Sequence, residues 1–400
     1  MKVLNILTKN TSCYHERDNI IKRSLKMKKN NKDEEKKEAK TLSVEQAILE
    51  LDKQFGKGTI IKLDEKVDIK LDVIPTGALS LDLALGVMGI PKGRIIEIFG
   101  GESSGKSTLC LSIAKNAQAQ GDLVCYIDLE NAFDTKYAKQ IGLDISSDKL
   151  LISQPNSGDE ALTILEKFIE TKKFGLIIID SVAAMAYDEE FAGEITDNHM
   201  GIAARKMSQA LRMLTSKINK ANCAVIFINQ VRDKIGTMGF GDPTTTPGGR
   251  ALKFYSSIRI KISRIASVKN KDDIAIGNHV KAKIVKNKCA VPFLEGEFDI
   301  IFGRGIKRIS AIVEVAIDME IITKEGNTFF FEDKKLCVGQ ANIPAVMIEN
   351  KTMLSKIEKL SIEKYLNKIN DMTEVENVAE LEDEEEKVEL DEVEQKKKEF

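Results

Sequence analysis

Residues 94–109 read RIIEIFGGESSGKSTL. A β-branched run enters a glycine-rich turn, followed by Lys106 and Ser107 and then by apolar residues at helical spacing. The pattern Gly100-x4-Gly105-Lys106-Ser107 is that of a phosphate-binding P-loop. Its glycines let successive backbone N–H groups curl around a polyphosphate, while the following helix points its positive end at the same anion. Gly100, Gly101, Glu102, Ser103, Ser104, Gly105, Lys106, Ser107 and Thr108 are therefore candidate ATP contacts. Lys106 is the residue to reach the β- and γ-phosphates, and the Ser107 hydroxyl is a Mg²⁺ ligand.

Working outward, strands alternate with helices from Gly77 to about Ile306. IIEIFG, LVCYIDLE, LLISQ, GLIIIDS and CAVIFINQ are apolar runs, separated by helical patterns starting at Lys106, Asp134, Gly158 and near Met200. Runs of this length between amphipathic helices predict an α/β fold, a mainly parallel sheet flanked by helices. FYSSIRIKISRI, HVKAKIVKNK and FLEGEFDII are expected to extend it as antiparallel strands. Upstream, Val44, Ala47, Ile48, Leu51 and Phe55 define a helix capped by Ser43 and stopped at Gly56 and Gly58, packed on its own core or on a neighbouring subunit. Downstream, residues 308–370 suggest a small α/β domain.

The 400 residues, 42% hydrophobic and 30% charged, suffice for one main core with appendages. Cys13, Cys110, Cys125, Cys223, Cys289 and Cys337 form no CxxC pair, and His15, His199 and His279 are far apart. Neither a zinc site nor a disulfide framework is indicated, and a reducing, cytoplasmic setting is expected. No apolar run approaches the ~18 residues of a membrane span. The net charge of −2 hides asymmetry: nine Lys/Arg face Glu16 and Asp18 over residues 1–32, whereas thirteen Asp/Glu face four Lys from Glu374 to Phe400. Both blocks read as solvated, disordered ends, with Met27 an alternative translation start and the acidic tail able to compete with other anions for basic groups.

Three further strand ends carry polar groups. Asp180 closes LIIID in the manner of a Walker B strand, where a parallel sheet presents its ligand site, and is a candidate Mg²⁺ ligand with Ser107. Glu130 follows CYIDL on what is expected to be the strand adjacent to the P-loop, and is the candidate general base. Gln230, ending IFINQ, is suited to sense the γ-phosphate through its amide.

EIFGGESSGKSTL, YIDLENAFD, LIIIDSVAA, GEITDNHMGIAAR, IFINQVR, TTTPGGRALKFY and KIVKNKCAVPF stand in the order and spacing of the bacterial RecA family of DNA strand-exchange recombinases. The resemblance runs from about Thr41 to Ile369. It implies a RecA-type core at residues 76–307, an N-terminal oligomerisation segment at 41–75 and a C-terminal domain at 308–370, leaving the ends at 1–40 and 371–400 outside. It implies an ATPase that forms filaments on single-stranded DNA, pairs it with homologous duplex and stimulates self-cleavage of a LexA-type SOS repressor. By the same resemblance Glu130 is the catalytic glutamate, Gln230 links the γ-phosphate to DNA, and Tyr137 stacks on adenine. Met200 is the wedge between base triplets in a first DNA-binding loop, beside Gly201 and Ser208. Lys286 and Lys288 cross the subunit interface to the neighbour's ATP.

The residues themselves add to this. Gly236–Gly249 is too weakly apolar to be core and reads as a loop ordered by a ligand. Its glycines, Thr245, Gly248 and Gly249, with flanking Arg232, Lys234 and Arg250, offer phosphate contacts of the kind sequence-independent DNA binding needs. Arg205 and Arg212 extend that surface, and Phe240 reads as a packing anchor. Lys281 and Lys283 share one strand face and Lys286 and Lys288 the other, which leaves one pair for an external anion. Departures from the family pattern are Gly101 for proline, Ser107 for threonine, Asn131 for histidine, an extra residue at Gly239, and an acid at Asp233. A RadA-type ATPase is disfavoured by the lack of a four-cysteine motif, a hexameric helicase by KNK, and a non-hydrolysing filament by Lys106, Glu130 and Asp180.

Overall fold

The computed structural model describes residues 43–56, 60, 71–191, 201–233 and 244–369, without the side chains of Asp233 and Thr244. Met200, Lys234, Gly239, Phe240, the basic extension and the acidic tail lie outside the described residues. The chain divides into two units, Met1–Lys70 and Leu71–Phe400. In the first, helix α1 (Val44–Phe55) opens on a capping box: Gln46 N–H donates to Ser43 Oγ and Ser43 N–H donates to Gln46 Oε1, each at 3.3 Å. Gly56 closes it at φ 97. No residue of α1 is buried, and Val44, Leu49 and Phe55 are exposed.

The second unit begins with β1 (Val73–Ile74), α2 (Leu79–Ala84) and β2 (Ile90–Pro91). The alternating region follows: β3 (Ile95–Gly100), α3 (Lys106–Ala119), β4 (Leu123–Asp128), α4 (Thr135–Ile141), β5 (Leu150–Ser153), α5 (Gly158–Thr171), β6 (Phe174–Asp180), α6 (Asp188–Phe191), α7 (Ile202–Ala221) and β7 (Ala224–Gln230). A two-residue ribbon, β8 (Arg232–Asp233) with β9 (Thr244–Thr245), precedes α8 (Ala251–Tyr255). Strands β10 (Ile258–Lys269), β11 (Ala275–Asn287), β12 (Glu295–Ile301) and β13 (Gly305–Ile306) complete a sheet ordered β13-β12-β11-β10-β3-β7-β6-β4-β5.

Two expectations change here. FYSSIRIKISRI is not one antiparallel strand. Phe254 and Tyr255 close α8, and β10 starts at Ile258 parallel to β3, with Ile262 opposite Gly100. The chain leaves β7 at the end where β3 also finishes and returns through α8 to the opposite end, so β10 must run the same way as β3; only β11, β12 and β13 are antiparallel additions. Secondly, the strand leading to Glu130 is not the neighbour of the P-loop strand, because β7 and β6 lie between β3 and β4.

Alternation along the central strands builds two cores. Ile96, Ile98, Val124, Leu176, Ile178 and Ile226 pack with Leu109, Ile113 and Ala138 from α3 and α4. Ile95, Cys125, Ile177, Ile179, Val225 and Phe227 face Leu165 and Ile169 of α5 and Met207, Leu211, Leu214 and Ile218 of α7. That 4-3-4 spacing keeps one stripe of α7 inside, and burying each such side chain stabilises by about 1.5–3 kcal/mol. On β12, Glu295 and Glu297 stand opposite Lys283 and Lys281 and accept ion pairs from them at 2.9–3.1 Å. An exposed strand β14 (Thr323–Glu325) pairs with β15 (Thr328–Phe331), and a third core joins Leu79 and Leu83 of α2 to α9 (Arg308–Asp318), β15, β16 (Lys334–Val338), α10 (Ile343–Glu349) and a last helix over 351–369.

Candidate functional site

Strand register brings the polar ends together. Gly100 lies opposite Gln230, and Asp128 opposite Asp180, at the carboxyl edge of the parallel strands. Gly100 and Gly105 leave no room for a side chain: a Cβ on Gly100 would sit 2.2 Å from the Ile262 carbonyl, and one on Gly105, at φ 99, would sit 2.5 Å from Ile300 Cδ1. Ser103 takes φ 54, and the buried Ser104 hydroxyl has no partner. Gly101 faces open space. Lys106 folds back onto the turn, donating to the carbonyls of Gly101 at 2.7 Å and Gly100 at 3.2 Å. Burial holds its ammonium below the ordinary lysine range, against the pull of Asp180 and Glu130. A bound anion at this point would relieve that penalty and satisfy the orphaned Ser104.

Asp180 is the hub. It accepts from Ser107 Oγ at 3.0 Å and from Tyr126 Oη at 2.6 Å. Burial raises its pKa despite the Tyr126 bond, and the nearby Glu130 carboxylate adds to the rise. A hydroxyl and a buried carboxylate in contact, oxygen donors only, suit a hard divalent cation of the magnesium type. Glu130 lies two residues beyond β4 and accepts from Ser181 Oγ at 2.5 Å and from Gln230 Nε2 at 3.2 Å. Its turn is held by Asp128, which accepts from the N–H groups of Ala132 and Phe133. Asn131 sits there at φ 54, a left-handed conformation that asparagine tolerates well.

Tyr137 shares a 2.9 Å hydrogen bond with Thr108 at the wall of a cavity of about 420 Å³ that opens over Ser103–Thr108. Arg264, Asn278, Ile300 and Phe302 line its far side. Sequence reasoning missed these four because they arrive from β10, β11, β12 and the turn after it, and no local pattern marks them.

Both proposed DNA loops meet the start of α7, the first through Gly201 and the second through Gly249. Gly201 starts that helix at φ 93, and Arg205, Ser208 and Arg212 are exposed along it at a spacing that forms one outward stripe. Arg205 pairs with Glu189 at 2.9 Å, an exposed contact of small energy. Arg232 stands opposite Thr245 in the ribbon, and Lys253 Nζ donates to Thr245 Oγ1 at 2.8 Å. Gly248 and Gly249 take φ 85 and φ 72, and a Cβ on Gly249 would lie 2.6 Å from Ala204 Cβ of α7. Arg250 is exposed at the start of α8.

Lys286 and Lys288 are not gathered into this site. Asn278, on the cavity wall, is eight residues from Lys286 along β11, roughly 27 Å at ~3.4 Å per residue and several times the length of a lysine side chain. Lys286 instead donates to the carbonyls of Lys253 at 2.7 Å and Phe254 at 2.8 Å, closing the end of α8. Burial, then Lys288 and Arg259, lower its pKa, and Lys288 is exposed.

Residues 42–307, which carry this site, match the RecA N-terminal domain, and residues 310–366 match the RecA C-terminal domain. The chain belongs to the RecA family. Protein RecA of Clostridium novyi is 48% identical over 326 residues, 82% of this chain and 92% of the relative. Protein RecA of Helicobacter hepaticus is 49% identical over 320 residues, covering 80% and 92%. That of Wolinella succinogenes is 47% identical over 352 residues, covering 88% and 99%. Membership of the RecA family makes the chain a DNA-dependent ATPase of homologous recombination. Among the described residues, no helix is long and apolar enough to cross a membrane.

Proposed function

We propose that this RecA-family chain hydrolyses ATP with the cluster centred on Asp180 and couples the hydrolysis to DNA held by the two loops. The observation that carries the assignment is the continuous contact from Ser107 through Asp180 to the polar ends of β4 and β7, where Glu130 meets Gln230. Lys106 and the backbone N–H groups of Ser103–Ser107 hold the triphosphate. Ser107 and Asp180 would hold Mg²⁺, which would supply charge neutralisation at the phosphates. Glu130 takes a proton from the attacking water, and Gln230 reports the γ-phosphate to the second loop, whose ribbon begins two residues later at Arg232. Tyr137 stacks on the adenine. Met200, Gly201, Arg205, Ser208 and Arg212 contact DNA from the first loop, and Arg232, Lys234, Thr245, Gly248, Gly249 and Arg250 from the second. Lys286 and Lys288, too far from their own subunit's cavity, reach the phosphates of the next subunit in a filament. The segments act as extension, oligomerisation helix, ATPase core, C-terminal domain and tail within the bounds given above, in a reducing cytoplasm, and the filament promotes self-cleavage of a LexA-type repressor.

The test is ATP hydrolysis with and without single-stranded DNA, followed by D-loop formation with homologous duplex. Hydrolysis stimulated by DNA and abolished by Lys106→Ala is the expected result. Hydrolysis indifferent to DNA, or a Lys106→Ala protein with unchanged ATP affinity, sinks the assignment.

A further inference from the structure

Glu97 lies in the middle of β3, the P-loop strand, three residues before Gly100, and is fully buried. A carboxylate at such a position needs partners. Arg259 Nε donates to its Oε2 at 2.5 Å, with the guanidinium 4.7 Å from the Phe99 ring centroid. Asn229 Nδ2 donates to its Oε1 at 3.0 Å. The same Asn229 amide donates to the Pro247 carbonyl at 3.0 Å, and Asn229 Oδ1 accepts the backbone N–H of Gln230 at 3.0 Å. Both polar atoms of the Asn229 side chain are therefore committed, and its orientation is fixed. A flip of the amide would set oxygen against both Glu97 and Pro247 and nitrogen against the Gln230 N–H.

We infer that Glu97 is a positioning residue for DNA-coupled hydrolysis: it locks Asn229 in the one orientation that ties the foot of the second loop, at Pro247, to the backbone of Gln230. Arg259 holds the Glu97 carboxylate by its Oε2, leaving Oε1 turned toward Asn229. Movement of the loop foot therefore has to break the Asn229–Pro247 bond, displace Gln230 or break the bond to Glu97. Glu97, Asn229 and Arg259 are not among the residues lining the cavity and reach the phosphate turn only through Gln230, so they govern how DNA is felt at the nucleotide rather than how tightly nucleotide binds. This inference rests on the roles proposed above for Gln230 and the second loop.

Exchange of polarity tests it. In Glu97→Gln the single oxygen is claimed by half-buried Arg259, leaving an NH₂ group against the Asn229 amide and forcing the flip. The expected result is a folded protein with ATP affinity within about twofold of the parent and DNA-stimulated turnover reduced at least tenfold. Asn229→Asp alone sets two carboxylates together and should do the same. When Glu97→Gln and Asn229→Asp are combined, the amide introduced on β3 donates to the carboxylate introduced on β7. That carboxylate again accepts the Gln230 N–H, and at least half of the lost turnover should return. The Pro247 carbonyl still lacks its donor, so the DNA concentration for half-maximal stimulation should stay raised. A double variant no better than the product of the singles, or single variants with parental turnover, overturns the inference. Should Glu97→Gln fail to fold, Asn229→Ala, which keeps the Glu97–Arg259 pair, must show the same tenfold loss with ATP affinity preserved. Absence of DNA stimulation in the unsubstituted protein would instead strike at the proposed function itself.

Discussion

Glu130 has no helix or strand of its own to hold it, and its position depends on Ser181, Gln230 and the Asp128-anchored turn. Replacing it by glutamine keeps the size and the hydrogen-bonding reach but removes the proton acceptor. Glu130→Gln should therefore retain ATP and DNA binding while hydrolysis slows by at least ~10²-fold, the scale of a lost general base; single-turnover rates at parental level would assign the proton to another group. At this scale legibility followed contiguity. Lys106, Ser107 and the glycines could be read because the phosphate turn is built from consecutive residues. Tyr126, which hydrogen-bonds Asp180, and Asn278 and Phe302, which wall the cavity, were not legible, because strand register rather than sequence proximity delivers them.

Gly249 joins the second loop to α8 and sits against α7. Gly249→Ala faces both a left-handed backbone and the Ala204 methyl group, so a loss of about 1–3 kcal/mol is expected. The urea midpoint and DNA-stimulated hydrolysis should fall together; a variant stable within roughly 0.5 kcal/mol of the parent, the ordinary scatter of surface changes, would show that the junction relaxes. The lysines of β11 make a second element-level case. Lys286→Ala with Lys288→Ala should leave a folded subunit that binds ATP but has little DNA-stimulated turnover. Mixed with Glu130→Gln protein, it should regain part of that turnover, at interfaces where an intact Glu130 meets intact lysines. Mixtures inactive at every ratio would favour an action within one subunit. Element type was readable from hydropathy, since alternating runs and amphipathic helices leave clear periods. Strand direction was not: the apolar pattern of β10 is the same whether it runs parallel or antiparallel, and only the return path through α8 decides.

At the scale of the whole molecule, Asp82 is buried and Glu314 half-buried away from the cluster. Burial lifts Asp82 to about 7 and Glu314 to about 7. Burial pulls His279 down, but the Asp299 and Glu297 carboxylates bonded to its ring outweigh this and carry it above its ordinary value. All three bind their proton more tightly folded than unfolded. The stability they contribute is complete below their unfolded values, ~4 for the carboxyls and ~6.5 for histidine, and is lost as pH climbs through the folded ones. The melting temperature should rise by a few degrees from pH 8 to pH 6, at ~2–4 °C per kcal/mol. Asp82→Asn with Glu314→Gln should at least halve that rise; an undiminished slope would place the titration elsewhere. The α/β class was legible at this scale because a parallel sheet needs long apolar runs, whereas the strand order was not, since contacts between distant segments leave no local trace. That order has a consequence in time. Glu97 on the central strand is separated by 132 residues from Asn229 on one neighbouring strand and by 162 from Arg259 on the other. A chain emerging from the ribosome therefore displays the whole phosphate turn long before it owns the walls that shape it, and the carbonyl that closes over Gly100 belongs to Ile262. Any product of interrupted translation ending short of that point carries the phosphate turn without the strand that closes over Gly100, because that strand is made only after both of the proposed DNA loops.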